Sequence, residues 1–126
     1  MRLGLLGGSF NPIHRLHLSI ARSARQLLQL DRVLCIPTGD PPHKQPGTLA
    51  TASHRHRLVQ PAIEDTPEFA LTDIEIQRSG KSYSIDTVRA IQQEYGPDTV
   101  LFFIIGLDAF LDLPSWKEAD TLLKSC

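Results

Sequence analysis

The chain has only two cysteines, one methionine and one tryptophan among 126 residues, and aromatic side chains make up 6% of it. Cys35 falls in an apolar run and Cys126 is the last residue, so no disulfide framework is indicated and the cytoplasm is the expected compartment. No apolar stretch approaches the roughly 18 residues that a membrane helix needs. No secretory pattern precedes the first apolar segment, so no signal peptide is expected. Thirteen basic against fourteen acidic residues leave a formal net charge of −1, which provides no broad field for nucleic acid or an anionic membrane. Any anion site must therefore be local, as suits a small phosphorylated substrate. Two common phosphate-binding signatures are also missing: the Gly-x-Gly-x-x-Gly of dehydrogenases and the Gly-x-x-x-x-Gly-Lys-Ser/Thr of many kinases and ATPases.

What is present is an alternation of apolar strands and amphipathic helices. Residues 2–6 read as a buried strand, and residues 15–30 as a helix with Ile20, Ala24, Leu27 and Leu28 as its apolar stripe. A strand over 32–36 ends at Pro37, and the proline- and glycine-rich residues 38–51 read as a mobile loop. A short helix over 53–64 contains Pro61, and a third strand is expected over 69–76, with its alternation changing phase between Leu71 and Ile74. Ser84 is placed to cap a helix running to Tyr95, with Gly96 just beyond it. Residues 99–105 are the most apolar strand, and Ser115-Trp116-Lys117-Glu118 has the pattern of a capping box.

Four strand–helix units predict an α/β fold: one Rossmann-like, doubly wound parallel sheet, order 3-2-1-4, with helices on both faces. No linker or repeat marks a second domain, so residues 1–126 read as one. The switch point of that order lies between the first and fourth strands. It would bring residues 7–17 beside residues 106–108 in one crevice.

The first strand runs into Gly7-Gly8-Ser9-Phe10-Asn11-Pro12, followed by His14-Arg15-Leu16-His17. A glycine turn feeding a helix start offers free N–H groups and the positive end of a helix to a phosphate. His14 and His17, three residues apart, fall on one helix face. A zinc pair at that spacing lacks convincing third and fourth ligands elsewhere in the sequence. Two imidazole donors beside a phosphate suit phosphoryl-type transfer, which depends mainly on positioning and on stabilising charge.

These residues resemble the nucleotidyltransferase superfamily, whose signature is a glycine turn followed by His-x-Gly-His, and within it the bacterial nicotinate mononucleotide adenylyltransferases. Pro41-Pro42-His43-Lys44, Ser82-Tyr83-Ser84-Ile85-Asp86-Thr87, Gly106-Leu107-Asp108 and Leu113-Pro114-Ser115-Trp116 are similar, in the same order, to further elements of that family. The resemblance implies transfer of the adenylyl group of ATP to nicotinate mononucleotide, with His14 and His17 as the catalytic pair. ATP would be bound by Gly7, Gly8, Ser9, Phe10, His14, His17, Gly106 and Asp108. The mononucleotide would be bound by Ser9, Phe10, Lys44, Tyr83, Ser84, Trp116 and Lys117, with Trp116 stacked on the pyridine ring. The implied partners are these two nucleotides, with Mg²⁺ carried in on ATP rather than held in a carboxylate cage. Arg55 stands where the family has an arginine and could equally form a salt bridge, and Asp108 could equally cap a helix.

Besides mild changes at Ser9 and Asn11, where threonine and aspartate are common, two larger departures accompany the resemblance. Leu16 occupies the place of the signature glycine, and the family's later Ser-Ser/Ala-Thr-x-Ile-Arg segment does not occur before Cys126. The sequence therefore reads as C-terminally truncated, with a fifth strand missing beside the apolar run 99–105. Exposure of that run predicts self-association or poor solubility. A sister adenylyl- or cytidylyltransferase, and a non-catalytic nucleotide-binding fragment, remain the alternative functions.

Overall fold

The structure, a computed structural model, describes residues 1–8, 10, 15–39, 51–78 and 80–126. The first strand, β1 (Arg2–Gly8), sends Leu3 and Leu5 to one face of the sheet and Leu6 to the other. It is therefore buried on both sides, as a central parallel strand must be. β2 (Arg32–Pro37) lies on one flank of β1 and β4 (Val100–Ile104) on the other, with β3 (Phe69–Leu71) beyond β2. All pairings are parallel and the order is β3-β2-β1-β4, as the alternation of elements predicts. Among the described residues, β3 and β4 border the sheet. Val100 at the start of β4 is 52% exposed, whereas Leu101 is buried.

Helices cover both faces. On one, α4 (Ser84–Tyr95) and α6 (Ala119–Ser125) set Ile85, Val88, Ile91 and Leu122 against Leu3, Leu5, Leu34, Ile36 and Leu101. On the other, α1 (Arg15–Leu28) and α2 (Ala52–Ile63) set Ala21, Val59 and Ile63 against Leu6, Val33 and Cys35. The hydroxyl of Thr51 caps α2 by accepting from the His54 N–H at 3.3 Å. Arg2 closes α1 at its other end, its guanidinium donating twice to the carbonyl of Leu28, at 2.7 and 3.0 Å.

Several local expectations need correction. The buried residue of α1 is Ala21, flanked by half-buried Leu18 and Ala24, whereas Ile20, Leu27 and Leu28 are exposed. A small side chain lets the helix lie close to the sheet, so apolarity alone misidentified the inner face. The third strand stops at Leu71, not residue 76, because the chain turns into the single-turn helix α3 (Ile74–Gln77). The change of phase at 71–74 marks that boundary.

Ser84 is the first helical residue of α4, not its cap, and Tyr83 in the capping position makes no side-chain cap bond. The capping box also fails. Leu113–Ser115 form a 3-10 turn opened by Pro114, and the Ser115 hydroxyl bonds back to Asp112. Glu118 instead stands before α6 with φ near 50° and pairs with Arg89. A further helix, α5 (Leu107–Asp112), follows Gly106 and starts one residue before Asp108. Of the mobile loop expected over 38–51, residues 40–50 lie outside the described residues.

Candidate functional site at the carboxyl ends of β1 and β4

Parallel pairing of Leu6 with Ile104 puts the carboxyl ends of β1 and β4 side by side. Gly7–Gly8 and Gly106–Asp108 consequently share the crest of the sheet, at the switch point where such folds bind ligands. Among the described residues, a Cβ at Gly7 or Gly106 would meet nothing within 4 Å. Gly8 differs, since a Cβ there would press on the Phe10 ring at 3.2 Å.

Phe10 makes the turn. It has φ of 46°, a left-handed conformation that costs a non-glycine residue roughly 1–2 kcal/mol, and its side chain is 1% exposed. The buried ring packs with Leu6, Ala21 and Val59, and this packing holds the strained backbone. Sequence reasoning placed the conformational burden on the glycines and missed this. With its ring in the core, Phe10 can offer a ligand only its main chain.

His17, the third residue of α1, is half-buried and meets the Phe10 ring edge-on, with centroids 5.1 Å apart and planes at 89°. The core thus orients the imidazole beside the open glycine turn. Leu16, next to it, is 61% exposed, so its side chain is not tucked into the core. Ser9, Asn11, His14, His43 and Lys44 lie outside the described residues.

A second group of the singled-out residues gathers at the start of α4. The Lys117 ammonium sits 4.8 Å from the centre of the Tyr83 ring and 3.6 Å from the Asp86 carboxylate. Arg89 grips Glu118 through two bonds, at 2.8 and 3.1 Å, which holds Glu118 below the usual carboxylate range. Trp116, next to Lys117 in the chain, is half-buried against the core and angled edge-on to Phe103 at 6.3 Å. Its indole N–H is buried without a hydrogen-bond partner among the described residues. A cleft beside it is lined by Leu113, Pro114, Ala119 and Leu123. Tyr83, Ser84, Trp116 and Lys117 therefore form one neighbourhood, where the first two N–H groups of α4, of Ser84 and Ile85, lie before the start of the intrahelical bonds.

Asp108 is exposed in the first turn of α5, and Gly106 occupies the capping position, so the helix-cap role considered for Asp108 does not hold. Arg55 is 2% exposed and donates to the Gly39 carbonyl at 3.3 Å. Burial pushes the Cys35 thiol up to about 11, which leaves it un-ionised and unsuited to nucleophilic chemistry. Among the described residues no group of three His, Cys, Asp or Glu could hold a metal ion. No helix of the described residues is long and apolar enough to cross a membrane. A broader depression lined by Val88, Gln92, Gly96 and Ser125 adjoins the C-terminal end of α4, away from the crest, and collects none of the singled-out residues.

Residues 5–126 match the cytidylyltransferase-like family. The chain belongs to that family. Within it, a Citrifermentans bemidjiense protein named "Probable nicotinate-nucleotide adenylyltransferase" is 51% identical over 127 residues, covering 100% of this chain and 58% of that protein. A Synechococcus protein of the same name is 47% identical over 125 residues, covering 99% of this chain and 60% of its own length. The cytidylyltransferase-like chain thus spans less than two thirds of these curated relatives. A solved structure of Plasmodium falciparum nicotinic acid mononucleotide adenylyltransferase complexed with NaAD superimposes with a TM-score of 0.81 at 23% identity, over 96% of this chain and 59% of that one. A second structure of that protein, complexed with APC, gives 0.78 at 21% identity, over 96% of this chain and 58% of that one. These likenesses establish the Rossmann-like fold.

Proposed function

We propose that this chain forms the nucleotide-binding crest of an enzyme that transfers the adenylyl group of ATP to nicotinate mononucleotide. One observation carries the reading: a histidine locked by the core stands beside an open glycine turn, on the same sheet crest as Gly106–Asp108. The names of the relatives support the choice of substrates. A phosphate oxygen of the mononucleotide attacks the α-phosphorus of ATP in line. The bond from that phosphorus to the bridging oxygen breaks, and pyrophosphate leaves with the electron pair. His17, and His14 by resemblance, donate N–H bonds to the phosphates. Gly7 and Gly8 let the main chain approach them, and Gly106 and Asp108 face the adenosine. Mg²⁺ enters as part of the ATP substrate, bound to its phosphates. By resemblance, Ser9, Phe10, Lys44, Tyr83, Ser84, Trp116 and Lys117 bind the mononucleotide, and the cytoplasm is the proposed compartment.

Pyrophosphate release, measured with ATP or CTP and with nicotinate or nicotinamide mononucleotide, tests the reading in the protein that carries this chain. Turnover with ATP and nicotinate mononucleotide is expected. Turnover with CTP alone would replace it by a sister cytidylyltransferase. Nucleotide binding without turnover would leave a binding module.

Two variants test individual contacts. Leu16 projects from the first turn of α1, so Leu16→Gly should cost up to about 1 kcal/mol of helix stability. It should also tighten ATP binding by removing a branched side chain near the adenosine. Calorimetric titration alongside thermal unfolding reads both, and ATP binding that stays the same or weakens would remove Leu16 from the nucleotide site.

Trp116→Ala should raise KM for the mononucleotide about tenfold with little change for ATP. Aromatic stacking contributes roughly 0.5–1.5 kcal/mol beyond burial. Nicotinate mononucleotide, and not ATP, should quench the fluorescence of this single tryptophan. Equal effects on both substrates would assign Trp116 to core packing alone.

A further inference from the structure

Glu75 has no role in the proposed reaction, yet it is an acid with only 8% exposure, on α3 just below the crest. Its Oε2 accepts from the Thr87 hydroxyl at 2.7 Å, and the Gly39 main chain favours its charged form. Arg78 donates to the same Thr87 oxygen at 3.0 Å and brings a positive charge near the acid. The main-chain carbonyl of Glu75 accepts from the Ser82 hydroxyl at 3.5 Å. It also packs so tightly on Gly39 that any Cβ at residue 39 would overlap it. Arg55 on α2 then ties down the Gly39 carbonyl. Burial raises the Glu75 pKa, and the Thr87, Arg78 and Gly39 contacts oppose that rise.

A buried acid surrounded by donors from separate segments acts through geometry. Here it joins the end of β2, α3 and the first turn of α4. Tyr83 sits between its two anchors: Ser82 immediately before it, and Thr87, whose N–H donates to the Tyr83 carbonyl at 3.2 Å.

We infer that Glu75 is a positioning residue that fixes the Ser82–Tyr83–Ser84 turn against Gly39 and thereby shapes the site for the pyridine mononucleotide. The substrate named here rests on the proposed function; the clamping of the turn does not. Glu75→Gln keeps the size and removes the charge, and Thr87→Val removes only the hydroxyl.

Hydrogen exchange in the unliganded protein should quicken at the amides of residues 83–88 in both variants. Tryptophan-fluorescence titration should show the mononucleotide bound about tenfold more weakly, while kcat and KM for ATP stay within about twofold. The double variant should be little worse than Thr87→Val alone, because without the Thr87 hydroxyl the charge at residue 75 has no link left to strengthen. Unchanged exchange at 83–88 would overturn the inference. So would equal weakening of both substrates, which is the mark of general destabilisation. A wild-type protein that binds no pyridine mononucleotide would refute the proposed function and the substrate named here, and the exchange measurement would still decide whether Glu75 holds the turn.

Discussion

Replacing His17 with alanine is expected to lower kcat by about 10²–10³ while leaving the protein folded. Loss of one preorganised donor to the charge of a transition state typically costs roughly 3–4 kcal/mol. His17 is half-buried on the first turn of α1, and its edge-on contact with Phe10 is worth far less to the fold than a fully buried side chain. Circular dichroism and thermal unfolding should therefore change little. Steady-state assays at saturating ATP and mononucleotide provide the measurement. A kcat within about twofold of wild type would remove His17 from the chemistry, and a collapse of the fold would show that the imidazole is a core residue.

Phe10→Ala should have the opposite signature, a large loss of stability. A fully buried phenylalanine cut to alanine costs about 3–5 kcal/mol, and Phe10 is only 1% exposed. Its φ of 46° adds a second, separable contribution. Alanine keeps the left-handed strain and glycine relieves it. Phe10→Gly should therefore be less damaging than Phe10→Ala by about 1 kcal/mol, even though it removes one more carbon. Urea unfolding of the two variants and the wild type decides this. A Phe10→Ala loss below about 1 kcal/mol would mean that the ring is not packed as described. Because the same ring orients His17, both variants should also lose activity beyond what unfolding explains.

Much of the architecture was legible because hydrophobic pattern and chirality leave few options. The continuous apolar runs around Leu5, Leu34 and Phe102 read as parallel strands, and the order β3-β2-β1-β4 follows once helices must cover both faces. Local chemistry with several competing partners was not legible. Ser115 and Glu118 have the spacing of a capping box, but Asp112 takes the serine hydroxyl and Arg89, on a distant helix, takes the carboxylate. Neither partner is visible from the spacing.

The inner face of α1 was misjudged for a related reason. Ala21 is buried because it is small enough for the close approach of helix to sheet, while larger Leu27 remains outside. Gly106 followed by Leu-Asp-Ala-Phe-Leu-Asp could have announced α5, since a glycine before a run of good helix formers suits a helix start. At the site, the residue types flagged the glycine turn and the helix start of α4. The strain on Phe10 and the acid behind Tyr83 emerge only when segments far apart in sequence are brought together.

The position of β1 between β2 and β4 also bears on how the molecule is made. β2 follows β1 by one helix, but β4 lies about 100 residues after β1, a separation that makes its pairing among the slowest to form. During synthesis the central strand therefore has one satisfied edge and one bare edge until residue 104 has left the ribosome. Over that interval Leu3, Leu5 and Leu6 flank an unpaired backbone, the type of surface that chaperones engage and that neighbouring nascent chains can capture. The crest that would hold the nucleotide closes in the same late event, so phosphate binding cannot precede the β1–β4 pairing and would report its completion.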